Sequence, residues 1–151
     1  MSDWKRIIIA IDDSQRSLNA VDYVGGIASH LEGIHLCLLH VFPKPPPNHF
    51  SNGISPEQYA ENQIQQSAQL FAQAEKILHD HGVSPQVIST RSVIATDQSI
   101  SEAILALQEQ EAFDTIVVGK RGITKAEEFL FGSISNALIH NGRDIAVWVI
   151  G

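Results

Sequence analysis
Three observations predict a single-domain α/β protein, an open parallel Rossmann-like sheet with helices on both faces. Short apolar runs alternate with segments of helical periodicity in the order βαβαβαβαβ. The runs are continuous, as in Arg6-Ile7-Ile8-Ile9-Ala10-Ile11, which is the pattern of strands covered on two sides. A loop with spaced glycines follows the fourth run and opens into the last helix. At 151 residues the chain can bury one core, so residues 1–151 are read as one domain. Its 44% hydrophobic and 18% charged residues are ordinary globular composition, which argues against extensive disorder.

The first strand stops at Asp12-Asp13-Ser14. A helix begins near Ser14, with Leu18, Val21, Gly25, Ala28 and Leu31 at helical spacing and Gly33 as terminator. Gly25 and Gly26 each cost a helix about 1 kcal/mol relative to alanine, and close packing against the sheet is the expected compensation. His35 to Phe42 forms the second strand, and Pro43-Lys44-Pro45-Pro46-Pro47 ends it, because proline supplies no ladder donor. A loop then runs to about Gly53. Ser55-Pro56-Glu57-Gln58 supplies an N-cap, a proline at the first helical position and a capping-box glutamine.

Ala60, Ile64, Ser67, Phe71, Ala74 and Leu78 mark the buried stripe of that helix, which Gly82 ends. His79 and His81, two residues apart, point to different faces, so they read as favourable charge at a helix C-terminus and not as a metal pair. Val87 to Ile94 alternates imperfectly and suits an outer strand. Asp97 or Ser99 caps a helix burying Ile100, Ala103, Ile104 and Leu107. Thr115 to Val118 is the fourth strand, Ser133 to Asn141 the last helix, and Ile145 to Ile150 the last strand.

Charge and cysteine content narrow the function. A formal charge of −7 with only 10 Lys and Arg argues against a nucleic-acid surface, while leaving room for one small basic pocket. The lone Cys37 lies in an apolar strand pattern, which implies a buried thiol and no disulfide framework. The N-terminus lacks a signal-type apolar region and no run is long enough to span a membrane, so a cytoplasmic protein is expected. Neither Gly-x-Gly-x-x-Gly nor a Walker loop is present.

What the chain has instead is Gly119-Lys120-Arg121-Gly122 and, nine residues on, Gly132-Ser133. Glycines let backbone N–H groups approach an anion closely, and a following helix start adds N–H donors and its positive dipole end. Gly119, Gly122, Gly132, Ser133 and Ser135 are therefore candidate phosphate ligands. The plainer reading makes the glycines turn residues and Ser133 an N-cap.

The pattern Gly-x2-Gly-x9-Gly-Ser between strand and helix resembles the signature of the universal stress protein family, specifically its ATP-binding branch. Ile11-Asp12-Asp13-Ser14 resembles the family's opening motif, a strand ending in Val-Asp-Gly-Ser, with Asp13 in the glycine position. The resemblance covers nearly the whole chain and implies strand order 3-2-1-4-5, which reverses between strands one and four, where open α/β sheets bind ligands. It implies a nucleotide site of Asp12, Val41, Gly119, Gly122, Gly132, Ser133, Ile134 and Ser135, with Asp12 at the ribose or phosphate side and backbone at His40 and Val41 meeting adenine.

Without the resemblance, Asp12 reads as a helix-capping residue and His40 as a structural histidine. Asp13 either helps to hold a metal ion such as Mg2+ or is simply solvated. The chain departs from the family at Ala95-Thr96-Asp97-Gln98, where Gly and then Asp-Pro are usual, and at Asp144-Ile145, where proline usually precedes the last strand. The family dimerises through this strand, so the resemblance implies a homodimer through Val147 to Ile150. The expected function is an ATP-binding regulatory or stress-response dimer, recognised by a regulatory protein partner and having little or no turnover. The alternative is a slow ATP hydrolase or a phosphoryl- or adenylyl-transfer enzyme using the same site.

Overall fold
The computed structural model describes residues 3–44, 53–120 and 134–151. Along the chain run β1 (Arg6–Ala10), α1 (Gln15–Ala28), β2 (His35–Pro43), α2 (Pro56–Asp80), a 3-10 turn at Pro85–Val87, β3 (Ile88–Ala95), α3 (Ile100–Gln110), β4 (Thr115–Gly119), α4 (134–141) and β5 (Ala146–Ile150). All strand pairings are parallel, in the order β3-β2-β1-β4-β5.

The continuous apolar runs are explained by a split at period two. Ile7 and Ile9 of β1, Leu36 and Leu38 of β2 and Val117 of β4 are buried under Val21 and Val24 of α1 and Leu70 and Leu78 of α2. Ile8, Cys37, Leu39, Ile116 and Val118 face the other way, into a second core with Ile104 of α3 and Leu138 of α4. Residues of the three inner strands, β2, β1 and β4, therefore have a core to enter whichever side they face, while the edge strands β3 and β5 stay partly exposed.

Three helices start as their serines direct. Ser14, Ser55 and Ser99 take extended backbone geometry and accept from the N–H groups of Ser17, Gln58 and Glu102. Ser99 is thus the cap of α3, while Asp97 adopts φ 55° and pairs with Lys44 at 3.8 Å. The capping box of α2 is half formed, because the Gln58 amide donates to Asn62 at 3.0 Å. β1 ends at Ala10, one residue earlier than its apolar run, although Ile11 N–H still donates to Leu39 C=O.

Two expectations are corrected. α1 ends at Ala28, not at Gly33; the Ser29 N–H donates to Gly25 C=O at 3.1 Å, and Gly33 serves the following turn at φ 73°. The stripe on α2 is buried at Ser67, Leu70, Ala74 and Leu78, whereas Ile64 is 57% exposed. The first turns of α2 lie at the end of β2, held by a hydrogen bond from Tyr59 O–H to Pro43 C=O, and the sheet covers the helix only from Ser67 onward.

The glycine pair in α1 is compensated by a helix and not by the sheet. A Cβ on Gly25 would sit 2.6 Å from Cδ2 of His81, the C-cap of α2, whose Nε2 lies 2.7 Å from Oδ1 of Asp22. A Cβ on Gly26 would make only a loose 3.9 Å contact. The Gly26→Ala variant is therefore expected to gain about 0.5–1 kcal/mol from helix propensity. Gly25→Ala should instead lose about 1 kcal/mol or more by overpacking and by displacing His81 from Asp22. Urea unfolding of both variants measures this; equal gains would contradict the packing described.

Candidate functional site
The strand order reverses between β1 and β4, and the strands end unevenly there. Ala10, the last residue of β1, pairs with Leu39 on one side and Val118 on the other. β2 runs on past it, with His40 to Pro43 pairing only with Ser92 to Ala95 of β3. The resulting step is a crevice at the C-terminal edge of the sheet. Its walls are largely apolar, from Val41, Val118, Ile134 and the α3 residues Ile100 and Ile104, and its polar end is formed by Asp12 and Ser17 beside Gly119. An apolar slot with polar groups at one end suits a flat ring carrying a polar substituent.

The polar end is a tightly bonded turn. Asp12 Oδ1 accepts from Ser14 N–H at 2.8 Å, Ser17 Oγ accepts from Asp12 N–H at 2.9 Å, and Ser14 Oγ accepts from Ser17 N–H at 3.2 Å. Asp12 is half-buried, whereas Asp13 is exposed. Gly119 closes against the same turn. A Cβ there would lie 2.7 Å from the Arg16 carbonyl carbon and 2.9 Å from Ser17 N, so only glycine lets the end of β4 approach α1 this closely. Its φ is not in the left-handed region, and close approach is the reason for the glycine.

A sequence model of the universal stress protein family matches residues 3–150. The chain belongs to the universal stress protein family. Solved structures carry the likeness across nearly the full length of both chains. A universal stress family protein from Burkholderia pseudomallei aligns at 18% identity and TM-score 0.72, over 99% of this chain and 98% of that one. The universal stress protein from Archaeoglobus fulgidus in complex with dAMP aligns at 17% and 0.62, over 100% of each. An Arabidopsis thaliana family member with AMP bound aligns at 16% and 0.60, over 97% and 92%. At these identities the likeness is one of fold. No curated protein matches by sequence.

In this universal stress protein fold, Asp12, Val41, Gly119 and Ile134, read from four separate parts of the sequence, line one crevice. Ser135 is half-buried on the next position of α4 and is not among the described residues lining it. Gly122, Gly132 and Ser133 lie outside the described residues. Ser17, Ile100 and Ile104 were not legible as site residues. The two isoleucines occur at helical spacing and read simply as core, and a serine in a first turn is commonplace. Asp144, at the position before Ile145, takes φ 54°, a conformation closed to proline with its φ fixed near about −65°.

His40 and Val41 part company, because neighbours on a strand face opposite ways. Val41 packs with the second core and the crevice, while the buried His40 turns toward α2, where its Nδ1 lies 2.6 Å from Ser67 Oγ. Ser67 Oγ lies in turn 2.9 Å from Ser92 Oγ of β3. His40 is thus a structural link between β2, α2 and β3. Cys37 is buried in the second core, and burial pushes its thiol pKa up, which keeps it protonated and unreactive.

Burial lowers the His40 pKa below its ordinary 6.5, against the opposing pull of Asp12 and Asp13. His35 is lowered too, by burial and then by Arg6. Between its folded and unfolded pKa values each histidine binds more protons unfolded, so stability is full above pH 6.5 and is lost as pH falls through the folded values. Urea midpoints measured from neutral pH downward should therefore fall below pH 6.5, and His40→Gln should flatten that slope. An unchanged slope in the variant would contradict the buried neutral His40.

Proposed function
We propose that this universal stress protein binds ATP, accompanied by Mg2+, in the crevice at the ends of β1, β2 and β4. In this reading it acts as a nucleotide-loaded regulatory homodimer with little or no turnover, recognised by a protein partner. The observation that carries this is the convergence of Asp12, Val41 and Gly119 on one crevice at the reversal of strand order. The apolar walls suit an adenine ring, and Asp12 at the polar end suits a ribose hydroxyl or a metal-bound phosphate. Family members that hold dAMP and AMP support an adenine nucleotide. Gly119, Gly122, Gly132, Ser133 and Ser135 take the phosphates, with Ile134 against the nucleotide.

Mg2+ ordinarily takes one or two carboxylates together with phosphate oxygens and water, which the Asp12-Asp13 pair can supply. The dimer reading rests on β5, an apolar edge strand paired on one side with β4, where Val149 is 42% exposed and the nearby Tyr23 of α1 is 53% exposed. Among the described residues no helix is long and apolar enough to cross a membrane. A cytoplasmic location is part of the proposal.

The test is to denature the purified protein, chromatograph any released nucleotide, and titrate the emptied protein with ATP and magnesium while following ADP. ATP bound and intact over hours is expected. The Gly132→Val variant should lose ATP binding while keeping its circular dichroism. Prompt ADP would favour the hydrolase reading, and unchanged affinity in folded Gly132→Val would remove the phosphate-loop assignment.

A further inference from the structure
We infer that Ser17 is the positioning residue of this site: its buried hydroxyl holds the Asp12 turn in the binding geometry, while its backbone abuts the end of β4. The inference rests on the nucleotide reading above and concerns what keeps that site in shape. Ser17 is a buried polar side chain, 3% exposed, in the first turn of α1, and it borders the crevice directly.

The chain leaves the sheet at a defined point. Ile11 N–H is still paired, to Leu39 C=O at 2.8 Å, whereas the next donor, Asp12 N–H, turns to a side chain. Ser17 Oγ accepts it at 2.9 Å. The Asp12 carboxylate accepts from Ser14 N–H, and Ser14 Oγ accepts from Ser17 N–H, so the bonds close a ring around Asp12, Ser14 and Ser17. Two of the three fix the α1 start and the Asx turn locally. The bond from Asp12 N–H to Ser17 ties that turn to the helix axis, and with it the direction of the Asp12 side chain.

The same residue meets the other side of the crevice. The backbone from Arg16 carbonyl to Ser17 N lies where a Cβ on Gly119 would fall. One helical turn therefore contacts both the turn after β1 and the end of β4 at Gly119, which come from residues more than a hundred apart in the sequence. Loss of the Ser17 hydroxyl removes that bond and lets the Asp12 turn move relative to Gly119, which weakens ligand contacts made through Asp12.

A double-mutant cycle with ATP and magnesium tests this. Asp12→Asn retains the Oδ1 acceptor for Ser14, so the turn persists while the charge is removed. Ser17→Ala is expected to weaken ATP about tenfold, the scale of one hydrogen bond. In the Asp12→Asn background, Ser17→Ala should cost little more, because its effect passes through Asp12. Ser84→Ala removes the cap of the 3-10 turn that precedes β3, at the opposite end of the strands from the crevice, and should lower stability while leaving ATP affinity unchanged. Losses that multiply in full, a Ser17→Ala affinity equal to wild type, or an Asp12→Asn affinity equal to wild type would each overturn the inference while nucleotide binding itself stands. A wild-type protein that binds no ATP would overturn the proposed function and this inference together.

Discussion
The structure depends on β1 being paired on both edges and buried on both faces. Its hydrogen bonds to β2 and β4 make it the centre of the sheet, and its alternating isoleucines begin both cores, Ile7 and Ile9 on one side and Ile8 on the other. A strand with no solvent face needs apolar residues at every position, which is why the Ile run is unbroken. Because β1 leads on to β2 on one side and β4 to β5 on the other, the chain departs in opposite directions after these two neighbours, and the longer β2 leaves a step in the sheet edge. The crevice is a product of topology before any side chain is considered.

Side chains then give the crevice its character. The longer β2 contributes Val41 above the end of β1, α3 and α4 roof the second core with isoleucines that also form the crevice wall, and the first turn of α1 closes the remaining end. The result separates apolar surface from hydrogen-bonding groups within a few residues. The opposite face is organised differently, with a polar chain from His40 through Ser67 to Ser92 joining β2, α2 and β3. The alternation of a strand thus places one neighbour in the crevice and the next in a structural link.

Much of this was readable from the sequence, for reasons that can be stated. Caps such as Ser14, Ser55 and Ser99 act within three residues, so their partners are visible in the sequence. Contacts that join distant segments were not. Gly25 looked like a concession to the sheet, yet the group it admits is His81, fifty-six residues away by their numbers. Gly119 was read as a phosphate-loop glycine, and the geometry adds a steric reason that lies in Arg16 and Ser17. Ile104 was rightly read as buried and Ile100 is half-buried, but periodicity does not tell whether such a face meets a strand or the space beyond its end.

The central claim is that an adenine nucleotide settles where β1, β2 and β4 end. Its most direct measurement is a backbone-amide NMR titration of the isotope-labelled protein with ATP and magnesium. The account predicts saturable shifts concentrated at Asp12, Ser17, Val41, Gly119 and Ile134, the residues around the crevice. Shifts gathered instead at the opposite end of the strands, around Arg6, His35 and Phe113, or none at all, would contradict it.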